Sequence, residues 1–456
     1  MRSRGCGNNQ TSKIKYSKLK QIWYKKVISS YRKKRPIAVD LFAGAGGMTL
    51  GFEQAGFDVL ASVEIDPIHC ATHEFNFPLC SILCKDVAQL TGAEIRTKSA
   101  IGRREIDVVL GGSPCQGFSM MGKRDVDDPR NSLLFHFHRL VLELKPKFFV
   151  MENVPGIASG KHKELLNILI SSFLKKGYQV EENYQVLNAV SYGVPQARKR
   201  LFLIGCKKKY ELPKYPQPTT VLPKIRIPKR YKKVDLPAVP TVWDAIGDLP
   251  EVEQYSELLD RDWVMAEYGN YSNYASILRG IDRLDDDYSY DREYDRQILS
   301  CSSRTKHSLE CMERFQAAKQ GEKEPISRFY KLHPDGVCNT LRAGTDRARG
   351  AYTSPRPIHP IVPRCITVRE AARLHSYPDW FRFHVTKWHG FRQVGNSVPP
   401  LLAKAVAAQI IGALGVQATK PNSQKLTWGD DSLLKLNWSE AEQYYLKSIP
   451  VTSELI

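Results

Sequence analysis

At 456 residues the chain is long enough to bury a large core and to fold as two domains rather than one. It carries 67 Lys and Arg against 48 Asp and Glu, a net charge of +19 that suits a polyanionic partner. No apolar run approaches a membrane span, no hydrophobic leader follows the start, and the ten cysteines include no C-x-x-C pair. These features exclude a disulfide framework and point to a reducing compartment, neither secreted nor membrane-bound.

In chain order, residues 1–35 hold twelve Lys or Arg and no acid. They read as a basic arm for a phosphate backbone, giving salt-dependent affinity without sequence choice. Pro36-Ile37-Ala38-Val39-Asp40-Leu41-Phe42 then reads as a buried strand. It breaks into the glycine-rich turn Ala43-Gly44-Ala45-Gly46-Gly47-Met48-Thr49 ahead of a helix, where a cofactor can approach the backbone. A dinucleotide fingerprint would place a third glycine where Thr49 stands, which disfavours NAD and FAD. The next strand, Val59-Leu60-Ala61-Ser62-Val63, ends at Glu64, twenty residues beyond Gly44 and suited to accept both ribose hydroxyls. Asp86 offers a second carboxylate for an adenine amino group. His69, Cys70, His73, Cys80 and Cys84 resemble a metal cluster in type, but no pair has a zinc-finger spacing and residues 66–75 read as an amphipathic helix.

A further apolar strand, Ile106-Asp107-Val108-Val109-Leu110, leads into Gly111-Gly112-Ser113-Pro114-Cys115-Gln116-Gly117-Phe118-Ser119. A lone cysteine is usually a small core residue. Glycines and a proline around Cys115 instead suit an exposed loop beyond the carboxyl end of a strand, where α/β sheets bind ligands. Phe148-Phe149-Val150-Met151 carries Glu152 at its end, either a solvent-facing carboxyl or a partly desolvated acid. Gln196-Ala197-Arg198-Lys199-Arg200 precedes the strand Leu201-Phe202-Leu203-Ile204-Gly205. Strand alternation points Arg198 and Arg200 to one side, so that they can grip a phosphate or an electron-rich ring unless they form a solvated basic turn.

Composition then shifts. Residues 207–233 hold ten basic residues, one acid and five prolines, an extended linker along a polyanion. Residues 282–295 hold seven acids, which repel phosphate and are expected to face solvent. Residues 416–456 contain Trp428 and Trp438 but no readable motif.

In order, Asp40-Leu41-Phe42-Ala43-Gly44-Ala45-Gly46-Gly47, Glu64, Asp86, the Pro114-Cys115 loop, Glu152-Asn153-Val154, residues 196–200, Arg369-Glu370-Ala371-Ala372-Arg373-Leu374-His375-Ser376-Tyr377-Pro378-Asp379 and Gln393-Val394-Gly395-Asn396-Ser397-Val398-Pro399-Pro400 form one series. The series resembles the DNA cytosine-C5 methyltransferase family over about residues 36–412.

That resemblance implies an α/β fold: a Rossmann-like, mostly parallel sheet of the S-adenosylmethionine-dependent methyltransferases. Residues 36–206 plus 392–415 would form the catalytic domain, with a smaller target-recognition domain inserted at 207–391. It implies transfer of a methyl group from S-adenosylmethionine to carbon 5 of cytosine in a specific duplex DNA sequence, leaving S-adenosylhomocysteine and using no metal. Cys115 would attack C6 of a flipped-out base, Glu152 would engage N3 and the exocyclic amine, and Arg198 and Arg200 would orient the base. Phe42, Gly44, Gly46, Glu64, Asp86, Pro114, Asn396, Ser397 and Val398 would hold the cofactor. Gln196, Thr340 and Arg342 would contact DNA, with Arg347 and Arg349 as further candidates and Leu133 near a mobile loop.

The transfer-RNA branch of the family carries Pro-Pro-Cys and Cys-Phe-Thr signatures that are not found here. Amino-group methyltransferases use an Asp/Asn-Pro-Pro-aromatic loop instead. A DNA reader on a decayed scaffold would have lost the cysteine, the glutamate or the glycine loop, and this chain keeps all three. The layout looks most like a bacterial restriction-modification methylase: a cytoplasmic, nucleoid-associated monomer working beside a cognate endonuclease.

Overall fold

The computed structural model describes residues 35–113, 132–181, 184–222, 236–345, 356–421 and 425–447. Nearly all of the expected basic arm, residues 114–131 with Pro114 and Cys115, and residues 346–355 with Arg347 and Arg349 lie outside them.

The apolar runs become a parallel sheet of β1 (Ile37–Leu41), β2 (Asp58–Glu64), β3 (Ser81–Cys84), β4 (Val108–Gly112) and β5 (Phe148–Asn153). Their spatial order is β3-β2-β1-β4-β5. β6 (Tyr178–Val180), β7 (Gln185–Asn188) and β8 (Gln196–Ala197) lead to β9 (Lys199–Lys207). β9 runs antiparallel to β5 and pairs on its other side with β6 and β7. The crossover direction reverses between β1 and β4, which opens a crevice at the carboxyl ends of the parallel strands.

Both faces are covered, so β1 and β5 are buried at every residue and alternate their side chains between two cores. One core takes Val39, Val109, Phe149 and Leu203 under α3 (Gly92–Thr97), α4 (Ser132–Leu144) and α5 (Lys161–Lys175). The other takes Ala38, Leu110, Val150 and Ile204 under α1 (Gly47–Gln54), and α2 (Pro67–Asn76) flanks it.

The inserted region contributes α6 (Val242–Ile246), the ribbon of β10 (Val264–Met265) and β11 (Ile298–Leu299), α7 (Asn273–Leu278), α8 (Leu309–Ala317) and β12 (Cys338–Asn339). It is followed by α9 (Val368–Leu374), α10 (Lys387–Asn396), α11 (Pro400–Ala413) and, in the tail, α12 (Trp438–Lys447). Two small apolar clusters belong to the insert alone, one around Val252, Leu258 and Leu299, the other around Phe315 and Ile358. Val242, Val368, Tyr377 and Phe381, in contrast, share the core of Phe52, Leu402 and Val406. The hydrophobic core therefore runs unbroken across both ends of the 207–391 region.

Three segments are placed by pairings between residues distant in sequence. Arg35, read as the end of the arm, is buried: its Nε lies 2.9 Å from Asp58 and its Nη2 donates to the carbonyls of Glu53 and Phe57. The acids at 282, 285, 286, 291, 293 and 295 are exposed as expected. Between them, however, Tyr290 donates to Asp58 and Arg292 pairs with Glu53 at 3.0 Å, docking the stretch on α1. The unread tail folds back onto α2, where Leu433 and Leu434 pack on Ala71 and Phe75, and Trp428 stacks on Phe75 at 5.7 Å.

His73 and Cys80 are core residues hydrogen-bonded to Thr49 and Ser62. Among the described residues no three His, Cys, Asp or Glu are grouped to hold a metal, and no helix is long and apolar enough to cross a membrane.

Candidate active site

Phe42 leaves β1 in the left-handed region at φ 63°, a conformation that costs a non-glycine residue roughly 1–3 kcal/mol and is tolerated mainly where function needs it. Its ring is half-buried beside the turn at Gly44 and Gly46, which have φ of 55° and 104°. The three glycines of this turn differ in what surrounds them. A Cβ on Gly44 would meet nothing within 4 Å, whereas one on Gly47 would lie 2.4 Å from the Val398 carbonyl oxygen. The turn thus packs against Ser397 and Val398 on one side and is open on the other.

Glu64, at the end of β2, faces this opening. Its carboxylate accepts from the backbone N–H of Gly44 at 2.8 Å and from those of Ile65 and Asp66 at 2.9 Å. A carboxylate has about four acceptor positions, so one is left for a hydroxyl. Asp86 lies beyond β3, half-buried, with one oxygen accepting from Ala88 N–H. An aromatic ring, an open glycine edge and two acceptor carboxylates along consecutive strand ends fit an adenosine-bearing cofactor.

Beneath this turn lies a buried chain that the motif reading passed over. Thr49 donates to Asp40 at 2.7 Å and sits 3.1 Å from the His73 ring, which explains why this position is not the glycine of a dinucleotide loop. Burial pushes the Asp40 carboxyl up to about 7, with the Glu64 charge adding to it, and burial lowers His73 to about 3. A buried acid whose pKa is raised from 3.8 to about 7 costs stability as pH rises through that interval. Asp40→Asn should therefore flatten the decline in stability between about pH 4 and 7, checked by denaturant titration at several pH values. An unchanged decline would contradict this.

Glu152 occupies the end of β5, opposite Gly112 of β4. A Cβ on Gly112 would stand 2.7 Å from Glu152 Oε2, so the glycine read as part of the loop is a strand residue that makes room for this carboxyl. Arg200 Nε pairs with Glu152 Oε1 at 2.8 Å. Burial nevertheless raises the Glu152 pKa, against the opposing charges of Arg200 and Arg198. Asn153 donates to Ser113 Oγ at 3.1 Å and anchors the start of the Pro114-Cys115 segment.

Two of the expected contact residues, Arg198 and Gln196, are buried and bonded to distant parts of the chain. Arg198 is fully buried and donates to the carbonyls of Leu341 at 2.8 Å, Gly395 at 2.8 Å and Ser397 at 2.7 Å. Its guanidinium pins the insert and the 395–397 segment to the sheet. Gln196, expected at DNA, is also fully buried: it accepts from Leu341 N–H at 3.1 Å and contacts His375 Nδ1 at 2.9 Å. The signal for both lies in β12, which pairs with β8 and brings the 340–342 segment alongside. Thr340 donates to the Ala197 carbonyl at 2.6 Å, while Arg342 and Asn396 are exposed and Leu133 is half-buried at the start of α4.

The sheet therefore brings Phe42, Gly44, Glu64 and Asp86 to one side of the switch point and Glu152 with Arg200 to the other, and the expected nucleophile loop leaves β4 between them. Residues 37–412 match the family model for C-5 cytosine-specific DNA methylases. The chain is 55% identical over 407 residues to the type II methyltransferase M.XorII of Xanthomonas oryzae pv. oryzae, covering 89% of this chain and 92% of that protein. It is 33% identical to M.DdeI of Desulfomicrobium norvegicum over 82% of this chain and 88% of that one. A solved structure of a provisional DNA modification methyltransferase encoded within a prophage (E. coli) superposes with a TM-score of 0.66 at 35% identity, covering 83% of this chain and 99% of that one. The chain belongs to the C-5 cytosine-specific DNA methylase family and is a DNA cytosine methyltransferase.

Proposed function

We propose that the protein methylates carbon 5 of one cytosine in a specific duplex sequence through a covalent Cys115–C6 adduct, as the protective methylase of a restriction-modification system. The observation that carries this reading is the buried Glu152–Arg200 pair at the mouth of the sheet, one strand from the β4 end that leads to Cys115. The 55% identity to a type II methyltransferase supports the protective role.

The bound S-adenosylmethionine supplies an electrophilic methyl group. Phe42 would stack on its adenine and Asp86 would accept from the adenine amine. Glu64 would take a ribose hydroxyl, and Pro114, Asn396, Ser397 and Val398 would close around the methionine end. The target base must leave the helical stack to reach these residues. Cys115 then adds as thiolate to C6, which loads electron density onto C5. A thiol has an ordinary pKa near ~8.5, so nearby positive charge is needed to favour the thiolate.

Glu152, with its pKa raised by burial, would hold a proton at N3 and so draw charge off the ring as the bond to C6 forms. Arg200 would fix the orientation of that carboxyl, and Arg198 acts one step back by holding the 395–397 segment and the insert in place. C5 would then attack the methyl carbon as the bond from that carbon to sulfur breaks, leaving S-adenosylhomocysteine; loss of the C5 proton to a base, with the N3 proton returning to Glu152, lets the Cys115 thiolate leave. Arg342 and Thr340 would touch DNA beside the target.

Three measurements test this. DNA containing 5-azacytosine in place of cytosine should form an SDS-stable complex with the enzyme, and Cys115→Ala should form none. A complex that persists in the variant would reject Cys115 as the nucleophile. Glu152→Gln should lower single-turnover methyl transfer by roughly 10²- to 10⁴-fold, the usual worth of a general acid; a loss of only a few-fold would leave Glu152 a structural carboxyl. Deleting residues 1–34 should flatten the log–log salt dependence of DNA binding by roughly 0.9 per lost phosphate contact, with sequence preference unchanged. An unaltered slope would remove the basic arm from the interface.

A further inference from the structure

The end of the sheet opposite the active site carries a second charged feature. Arg103 and Arg104 before β4, Lys145 and Lys147 before β5, and Lys207 and Lys209 at the end of β9 line a concavity of about 420 Å³. Arg96 brings the lining to seven cations against one carboxylate, Glu105. The strands between it and Gly112 or Glu152 are five and six residues long. At roughly 3.3 Å per residue this separates the concavity from the catalytic crevice by about 15–20 Å.

Little of this charge is neutralised locally. Lys147 pairs with Asp107 at 2.7 Å and Glu105 at 3.4 Å. Arg96 donates to the carbonyls of Gly102, Arg104 and Leu144, and Lys207 to that of Lys145, bonds that fix the side chains without cancelling their charge. Arg103, Lys145 and Lys209 form no ion pair among the described residues. Burial, together with the facing charges of Lys209, Lys145 and Lys147, lowers the Lys207 pKa. Gathering like charges in one concavity destabilises the fold unless an anion answers them.

We propose that this concavity is a second DNA contact, which takes the phosphodiester backbone of a duplex segment other than the one in the catalytic crevice. Its cations come from three separate chain segments, a spread-out array suited to a polymer backbone. Tyr210 lines the concavity, and its ring already meets Lys209 Nζ at 5.1 Å and the Phe148 ring at 5.4 Å between centroids. Lys208 and Lys214, both exposed, add two more cations on the chain that follows β9. A contact of this kind would hold the enzyme on DNA between turnovers and let it bridge two segments. It requires only that the chain acts on DNA, and not the Cys115 chemistry.

The test uses the full chain and the triple variant Arg103→Gln, Lys145→Gln, Lys209→Gln. Non-specific binding to plasmid should lose roughly 2 to 3 from its log–log salt slope, about 0.9 for each phosphate contact. Bridging of two differently labelled duplexes, read by co-precipitation, should disappear. The kcat on a short duplex that fills only the crevice should stay within twofold of wild type, which also shows that the variant is folded. An unchanged salt slope with bridging retained would overturn the proposal. So would saturable binding of ATP or inorganic triphosphate that the variant abolishes while its plasmid binding stays intact, since that outcome assigns the concavity to free phosphates.

Discussion

Cys115→Ala should abolish methyl transfer while the protein still folds and still binds S-adenosylmethionine. Removing a nucleophile that opens the only efficient route costs covalent catalysts roughly 10⁴- to 10⁶-fold in turnover, because the positioning groups left behind cannot activate the substrate by themselves. Activation is what is at stake here, since C5 of cytosine attacks a methyl group only after electron density reaches it through C6. Phe42, Glu64 and Asp86, assigned to the adenosine half of the cofactor, stand at the ends of β1, β2 and β3, on the other side of the switch point from Glu152. Calorimetric affinity for S-adenosylmethionine should therefore change by no more than a few-fold. A Cys115→Ser variant turning over at near-normal rate would end the assignment.

Arg373→Met should cost more stability than any substitution at the site. Arg373 is fully buried and bonds Asp379 through Nε at 2.9 Å and Nη2 at 2.7 Å. It also reaches Asp248 and the Ala245 carbonyl, tying α9 to the end of α6. Burial alone would raise the Asp379 carboxyl, but Arg373, with Arg369 and Arg279 behind it, holds it below its ordinary value. Removing the guanidinium leaves Asp379 and Asp248 only their longer pairs with Arg369 and Arg279, each at 3.7 Å, and breaking a buried pair from one side costs about 3–5 kcal/mol. Denaturant unfolding reads this directly.

The deficit has a pH signature. Asp379 is depressed in the fold, so its contribution is present above its ordinary pKa of 3.8 and is lost as pH falls through the lower folded value. The gap between wild type and Arg373→Met should therefore narrow in acid. A deficit under about 1 kcal/mol at pH 7 would place this cluster among ion pairs of little net worth.

Residues that sit on their own strand ends were readable from the sequence. Glu64, Asp86 and Glu152 each follow an apolar run, and a parallel sheet delivers all such ends to one edge, so local pattern was enough. The bonding of Arg198 and Gln196 is not legible in the sequence because their partners are distant in it: Leu341 lies more than 140 residues away and Gly395 nearly 200. Alternation placed Arg198 on the correct side of the chain but could not show that three carbonyls would claim it.

Charge counting indicated which way the acids face but not where the stretch docks. Seven acids in residues 282–295 describe a sum, whereas Tyr290 and Arg292 decide where the stretch docks by meeting Asp58 and Glu53. Arg35 looked like the last of twelve arm cations, and Asp58 makes it part of the core. The basic concavity has the same character, since it is assembled from three segments that no local window contains.

The most direct test of cytosine-C5 methylation is bisulfite sequencing of a plasmid carried by cells expressing the chain, beside cells expressing Cys115→Ala. Unconverted cytosines confined to one short recurring sequence, and absent with the variant, are the expected result, and they would read out the recognition sequence as well. A fully converted plasmid from cells containing folded, S-adenosylmethionine-binding protein would contradict methylation of duplex DNA. Protection that survives in Cys115→Ala would contradict the covalent route.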